Sequence, residues 1–188
     1  ATLVWSTNAG SIKNRPTLNP TNPQLFVVNE TGVILKVNPT DGAPVWAYTN
    51  PAPVIRNLCT EFRSPLPTRI YYTTTDGHIN GLVDGLPGPA QLWPPTAPAK
   101  AAGTAEINSH ARNFEAWTEV ALDAASGKLF VGRNDGYIQM VDAATATFEE
   151  SLLVGTPETL LDPVLDRSSP GAQGFDRLLI TTTEGSMK

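Results

Sequence analysis

The sequence has little of what most metal, redox and nucleic-acid sites require. Cys59 is the single cysteine among 188 residues, so the chain can form neither an internal disulfide nor a thiolate metal cluster. The two histidines, His78 and His110, lie outside any spacing typical of metal ligands. Lysine and arginine total 13 and the net charge is −5, which argues against the cationic surface that nucleic acids bind. We therefore expect no metal site and no nucleic-acid partner.

Long apolar runs are absent as well. No stretch approaches the roughly 18 apolar residues that a membrane-spanning helix needs, and the first ten residues, ATLVWSTNAG, lack the basic and apolar regions of a signal peptide. We therefore expect no direct membrane insertion. Charged residues make up only 16% of the chain and prolines number 17, so the composition predicts many turns and little helix. Few lysines, with much threonine, asparagine and proline, favour an extracytoplasmic protein, whether periplasmic, secreted or luminal.

What the sequence does contain is a repeat. Residues 25–37 read LFVVNETGVILKV and residues 129–141 read LFVGRNDGYIQMV, with further copies at residues 70–82 and 178–188. Alignment on a shared glycine gives spacings of 45, 59 and 49 residues, within or near the period typical of propeller blades and solenoid coils. The aligned turn glycines are Gly32, Gly77, Gly136 and Gly185.

Each copy has the pattern of a β-hairpin. Its first three positions are apolar or aromatic in all four copies, which predicts an inner strand covered on both faces. A tight turn follows, because the glycine accepts positive φ, and then a second apolar strand. Turn-rich segments upstream and downstream supply two more strands. The sequence therefore predicts an all-β fold, a β-propeller of four-stranded antiparallel blades, in preference to a β-sandwich.

The run LFVVNETGVILKVNPTDGAPVW at residues 25–46 resembles the pyrroloquinoline-quinone-type (quinoprotein-like) β-propeller repeat, whose blades end in a tail of the form D-x-x-T-G-x-x-x-W. As a repeat pattern, the likeness extends over nearly the whole chain. The second copy replaces the tail with VDGLPGPAQLW, and the third has Ala146 for glycine and Phe148 for tryptophan. In that family the tail aromatic packs between neighbouring blades. The resemblance thus implies inter-blade positions for Trp5, Trp46, Trp93 and Phe148.

These patterns divide the chain, as one propeller domain or propeller segment, into four units at residues 7–48, 49–94, 104–152 and 153–188. The opening TLVWS matches APVWA at residues 43–47, an outer strand, so residues 1–6 are expected to complete the last unit beside residues 186–188. Such a join either closes a ring of four blades or leaves an open arc that pairs with another copy or with further parts of a larger propeller.

One stretch interrupts the regular spacing. Residues 86–103, LPGPAQLWPPTAPAKAAG, carry five prolines and predict a stiff, extended surface loop. Long loops on rigid scaffolds often bind partners. Candidate partner-binding residues are therefore Trp93, Pro94, Pro95 and Pro98, and a purely structural crossover is the alternative.

The quinoprotein resemblance also raises the hypothesis of a dehydrogenase that binds pyrroloquinoline quinone and calcium. The chain lacks the vicinal cysteine pair common in alcohol-oxidising members, and no catalytic residue or calcium ligand can be assigned. We therefore expect no cofactor and a non-enzymatic scaffold or protein-interaction module, part of a larger extracytoplasmic assembly like the envelope assembly complexes whose propeller subunits resemble this repeat. Alternatives are a quinoprotein dehydrogenase fragment and a luminal or periplasmic sensor domain that dimerises. Expected partners are another protein or other copies of a propeller chain.

Overall fold

The computed structural model describes residues 5–12, 14–19, 23–54, 56–93, 104–106, 118–133, 136–154, 163–166 and 177–181. All regular structure in these ranges is β-strand, as the composition and repeat pattern predict. None of the described residues form a helix long and apolar enough to cross a membrane. The strands are β1 (Thr17–Asn19), β2 (Gln24–Val28), β3 (Val33–Val37), β4 (Pro44–Thr49), β5 (Cys59–Glu61), β6 (Arg69–Thr73), β7 (His78–Val83), β8 (Ala90–Gln91), β9 (Thr104–Glu106), β10 (Ala121–Asp123), β11 (Lys128–Gly132), β12 (Tyr137–Asp142), β13 (Phe148–Leu153), β14 (Val164–Asp166) and β15 (Arg177–Leu179).

The strands form one antiparallel sheet for each repeat unit. The first unit has the order β1-β2-β3-β4 and the third has β10-β11-β12-β13, so each is a four-stranded meander. The second unit has β5-β6-β7-β8, and the described part of the fourth unit contains the pair β14-β15. The predicted four-stranded antiparallel units are thereby confirmed.

The second unit departs from the predicted boundaries. Strand β9, which the sequence assigns to the start of the third unit, pairs with β7 through His78↔Glu106, Ile79↔Ala105 and Asn80↔Thr104. Strand β8 pairs with the other end of β7. The proline-rich stretch therefore interrupts the outer strand of the second unit, and the boundary at residue 104 is wrong. The physical reason is that β8 satisfies only one end of β7, which leaves the hydrogen-bonding groups of residues 78–80 to another segment.

The strongly apolar strand of each repeat lies second in its sheet, next to the innermost strand. Strand β10 contacts both β5 and β14 of neighbouring units, which places the first strand of each unit nearest the common centre. The expected inner position of the apolar strand is therefore corrected to the second position. Burial still follows the predicted pattern, since neighbouring sheets cover this strand on both faces. Its fully or nearly fully buried side chains include Phe26, Val28, Ile70, Tyr71, Tyr72, Leu129 and Val131.

The hairpins between the second and third strands close as the glycine pattern predicts. In the first unit, Gly32 N–H donates to the Asn29 carbonyl while Asn29 N–H donates to the Val33 carbonyl. This pairing requires a left-handed residue at the end of the turn, and Gly32 has φ 86°. Gly77 and Gly136 adopt φ 81° and 84° at the same place in the next two units. Gly185 lies outside the described residues.

The hydrophobic core is divided into clusters that each join two consecutive units. One cluster combines residues of the first and second units around Phe26, Trp46 and Ile70. The next combines the second and third around Tyr71, Trp93 and Leu129. The last combines the third and fourth around Phe130, Ile138 and Ile180. The units therefore stabilise one another by face-to-face packing of successive sheets.

Candidate functional site

Trp46 lies in the cluster that joins the first and second units and is 5% exposed. Strand β4 places it opposite Lys36. Its ring centroid lies 5.9 Å from that of Phe26 in its own unit. Its Nε1 donates to Asp84 Oδ1 in the second unit at 2.9 Å, and Lys36 Nζ lies 2.5 Å from Asp84 Oδ2. This indole therefore contacts both units, at the position that the repeat resemblance implies, and its contribution to stability stays a prediction.

Trp93 holds the equivalent place between the second and third units. Its ring centroid lies 6.0 Å from that of Tyr71, and its Nε1 donates to the Ala143 carbonyl of the third unit at 3.1 Å. Because Trp93 is only 1% exposed, its side chain is not available to a partner, and the predicted partner-binding role of Trp93 is wrong. The other candidates in that loop, Pro94, Pro95 and Pro98, lie outside the described residues.

Trp5 repeats the same contact in front of the first unit. Its Nε1 donates to the Pro39 carbonyl at 2.8 Å. The β2–β3 and β11–β12 registers make Pro39 the counterpart of Ala143, each standing two residues after the aligned valine that ends the pairing. Its ring also packs closely against Gly42. Trp5 therefore precedes the first unit as Trp46 precedes the second. The expected pairing of residues 2–6 with residues 186–188 lies largely outside the described residues and stays a prediction.

Phe148 does not occupy the place of these tryptophans. Val141 pairs with Phe148 as Val37 pairs with Pro44, because both outer strands contain a bulge at that point. The residue in the register of Trp46 is Glu150, and Phe148 packs instead against the cluster around Trp93. The sequence alignment of Phe148 with Trp46 is thus displaced by two residues, since spacing along the chain does not reveal where a strand begins to pair.

The loops after the first and third strands of each sheet lie at the same end of the sheets, which we call the loop face. Two cavities of about 330 and 280 Å³ open on this face where the first and second units meet. Both are lined by Gln24, and the paired Lys36 and Asp84 line one each, so the cavities adjoin. Together they form a broad depression beside the β5–β6 loop.

Large apolar side chains stand exposed around this depression, and we call them the apolar rim. Leu86 is 81% exposed and Leu66 is 54% exposed, although isolated leucines of globular proteins more often bury most of their surface. The set comprises Val45, Phe62, Leu66 and Leu86. A cluster of exposed apolar side chains around a concavity is typical of a protein-binding surface.

The loop that carries two members of the rim is fixed from below. Thr68 Oγ1 donates to Gln24 Oε1 across the two units at 2.8 Å. Asp84 N–H donates to the Thr68 carbonyl at 2.8 Å. Asp84 in turn accepts from Trp46 and is paired with Lys36. The inter-unit contact and the surface depression therefore share one hydrogen-bonded network, which orients the rim.

Comparison with solved structures decides the fold. The computationally designed protein Ika4 superposes with a TM-score of 0.66 at 13% identity, covering 100% of this chain and 96% of that one. BamB from Moraxella catarrhalis gives 0.64 at 17% identity, covering 98% of this chain and 51% of its own. The β-propeller domain of Cps50 (Swd1) from Myceliophteria thermophila gives 0.62 at 11% identity, covering 90% and 50%. The fold is a β-propeller.

No protein-family profile and no curated protein sequence matches the chain. The units described above are thus propeller blades, while membership of the pyrroloquinoline-quinone-type family stays a prediction. The chain spans nearly the whole of Ika4 but about half of BamB and of the Swd1 domain. These lengths fit both a ring of four blades and a part of a larger propeller.

Near the propeller axis, at the end opposite the loop face, a polar network joins three parts of the chain. Arg15 N–H donates to Asn57 Oδ1 at 2.6 Å, and Asn57 Nδ2 donates to Glu119 Oε2 at 2.9 Å. Cys59 lines a cavity of about 330 Å³ beside them. Burial, together with the Glu119 and Glu61 carboxylates, raises the pKa of the Cys59 thiol to about 12. Since the thiolate is the nucleophilic form, Cys59 is unsuited to nucleophilic chemistry at neutral pH.

The remaining titratable cluster lies in a hairpin. His78 Nδ1 is 3.1 Å from Asp76 Oδ1, and Thr74 Oγ1 donates to the same oxygen at 2.5 Å. Burial alone would raise the pKa of Asp76, but the hydrogen bonds from Thr74 and His78 hold it below its ordinary value. Across the described ranges no group of three His, Cys, Asp or Glu side chains is placed to hold a metal. The quinoprotein alternative stays a prediction that titration with the quinone and calcium tests.

The apolar rim was missed by the analysis of the sequence, although a signal for it is present. Phe62 and Leu66 stand in the turn-rich segment FRSPLPT, and Leu86 stands in DGLPG. Large apolar residues within proline-rich turns have no strand face to cover, so they are candidates for a surface contact. The repeat alignment passed over them because they lie between the aligned strands.

Proposed function

We propose that this β-propeller is a non-enzymatic protein-interaction module whose contact surface is the apolar rim of the loop face. The observation that carries the proposal is the grouping of Val45, Phe62, Leu66 and Leu86 around two adjoining cavities. Covering these side chains with a partner removes apolar surface from water, which supplies about 25 cal/mol for each Å² buried. A concave centre with exposed leucines at its edge suits an inserted apolar side chain of another protein.

The rim is well ordered for binding. Pro65 and Pro67 flank Leu66, and Pro87 follows Leu86. Proline fixes φ and so reduces the conformational freedom that a loop loses when a partner docks. The contacts of Thr68 with Gln24 and Asp84 hold the base of the same loop. Rigidity of this kind favours affinity without further contacts.

The finer parts of the proposal rest on the sequence. We infer that the propeller belongs to a larger extracytoplasmic assembly, supported by the scarcity of lysine and the abundance of threonine, asparagine and proline. The pyrroloquinoline-quinone-type repeat is supported by the tail that ends in Trp46, and by the likeness of residues 25–46 to that repeat. A partner of the same kind, another propeller copy, is included in the proposal.

Site-specific photocrosslinking tests the surface. A photoreactive phenylalanine analogue is placed at Leu86 in the full chain, expressed in its native source, with Thr31 on the opposite hairpin face as the matched control position. The rim predicts a discrete crosslinked product at position 86, which Leu66→Asp abolishes while thermal unfolding remains unchanged. A product of twice the chain mass identifies another copy as the partner.

Two outcomes contradict the proposal. Identical products from positions 86 and 31 would show that crosslinking is not specific to the rim. A product at position 86 that survives both Leu66→Asp and Phe62→Asp would show that the rim does not form the contact.

A further inference from the structure

The propeller places one indole in each of three successive positions between blades. Trp5 stands before the first blade, Trp46 between the first and second, and Trp93 between the second and third. Each indole N–H donates to an oxygen of a residue in the loop that follows the third strand of the next blade. The indole is therefore a repeated structural element, and its presence or absence can be checked at the next interface.

Between the third and fourth blades the register gives Glu150 where the first blade has Trp46. Met140 pairs with Glu150 as Lys36 pairs with Trp46. Glu150 is exposed and its carbonyl accepts from Gln139 Nε2 at 2.9 Å. A carboxylate cannot replace an indole in an apolar interface, because burying an unpaired charge is far more costly than burying a ring.

A cavity of about 110 Å³ lies where the ring would be. Its lining residues are the register counterparts of those around Trp46, namely Phe130, Ile138, Met140, Glu150, Leu152 and Leu178. Phe130 and Ile138 are buried as Phe26 and Ile34 are in the first blade. The side chains that receive an indole at the first interface are thus matched here by apolar side chains with no ring between them among the described residues.

We propose that this cleft is a binding site for a small planar aromatic molecule. An apolar cavity of about 150 Å³ lined by Leu, Ile and Phe is known to accept benzene in another protein, so the measured volume suits a single ring system. Phe130 presents the same partner that Phe26 presents to Trp46 at 5.9 Å. The exposed Glu150 carboxylate at the cleft favours a neutral or amine-bearing ring over an aromatic acid. The cleft shares no residue with the apolar rim.

Binding is tested with indole, tryptamine and indole-3-acetate on the full-length chain. The readout is the methyl resonance of Met140, assigned with Met140→Leu, because a ring in the cleft shifts a methyl group that lines it. Wild type is expected to show a saturable shift with indole. Tryptamine is expected to bind about two- to fivefold more tightly than indole-3-acetate at low salt, in line with an exposed ion pair. Glu150→Gln should retain indole binding and remove that preference.

Filling the cleft provides the decisive variants. Glu150→Trp supplies the missing indole from the chain itself and should abolish the indole shift while raising the melting temperature. Leu152→Trp obstructs the cleft from the neighbouring position, in case the first variant fails to fold. Leu153→Trp is the matched control, since adjacent strand residues project to opposite faces of the sheet, and Leu152 and Leu153 are similarly exposed, at 58% and 53%.

Three results would overturn the proposal. Wild type could show no saturable shift at millimolar indole. The two blocking variants could bind indole as well as Leu153→Trp does. A tryptophan-containing peptide could displace indole at much lower concentration than tryptamine, which would assign the cleft to a side chain of a protein and not to a small molecule.

Discussion

Replacement of Trp46 by alanine is the sharpest test of how the blades are held together. The side chain is almost fully buried, contacts the ring of Phe26 and hydrogen-bonds to Asp84 in the next blade. Truncating a buried tryptophan to alanine typically costs about 3–5 kcal/mol, because the apolar contacts are lost and a cavity remains. Folded domains are stable by only about 5–15 kcal/mol, so we expect Trp46→Ala to remove a large part of the free energy of unfolding.

The two roles of the indole can be separated. Trp46→Phe keeps an aromatic ring in the interface but removes the N–H that Asp84 Oδ1 accepts at 2.9 Å. Losing a partner of a buried charged group costs about 1–3 kcal/mol, and Lys36 still pairs with Asp84, so the effect should fall at the lower end of that range. Trp46→Phe should therefore be clearly less destabilised than Trp46→Ala.

Urea unfolding followed by circular dichroism measures both changes. For a chain of this length each kcal/mol lowers the melting temperature by about 2–4 °C, so Trp46→Ala should melt about 6–20 °C below wild type. Val45→Ala is the matched control, because Val45 neighbours Trp46 on β4 but is 40% exposed, and its effect should stay within about 0.5 kcal/mol. If Trp46→Ala changed stability no more than Val45→Ala does, the indole would not be an inter-blade element.

Two further predictions concern a turn and a carboxylate. Gly32→Ala should destabilise more than Gly127→Ala: both glycines have positive φ, but a Cβ at Gly32 would meet a backbone oxygen at 2.9 Å while Gly127 has open space, and thermal melts that rank them equally would contradict this. The pKa of Asp142 is about 2, because hydrogen bonds from Thr145 and Lys128 outweigh the opposing effect of burial. Its contribution to stability is therefore present above its ordinary pKa of 3.8 and lost as the pH falls through about 2, so Asp142→Asn should flatten the loss of stability between about pH 4 and pH 2 in urea titrations; an unchanged slope would refute the assignment.

The sequence determined the strands and their turns. Apolar positions such as Phe26 and Ile34 repeat in register with Gly32, and local physics then leaves few alternatives, since buried strands require apolar side chains and the turn requires positive φ. The repeat also placed Trp46 between blades. These features depend on residues close together in the chain, which is why they could be derived without the structure.

Only the tertiary structure decided which residues meet across blades and which stay at the surface. The bulges in β4 and β13 put Glu150, and not Phe148, opposite the third strand, and chain spacing carries no record of a bulge. Pairing of β9 with β7 joins residues on either side of the proline-rich stretch, so local pattern could not assign it. The apolar rim depends on loops from two blades that come together when Trp46 packs against its neighbour. Each of these depends on packing between distant segments, where the free energy comes from burial of surfaces that no single segment contains.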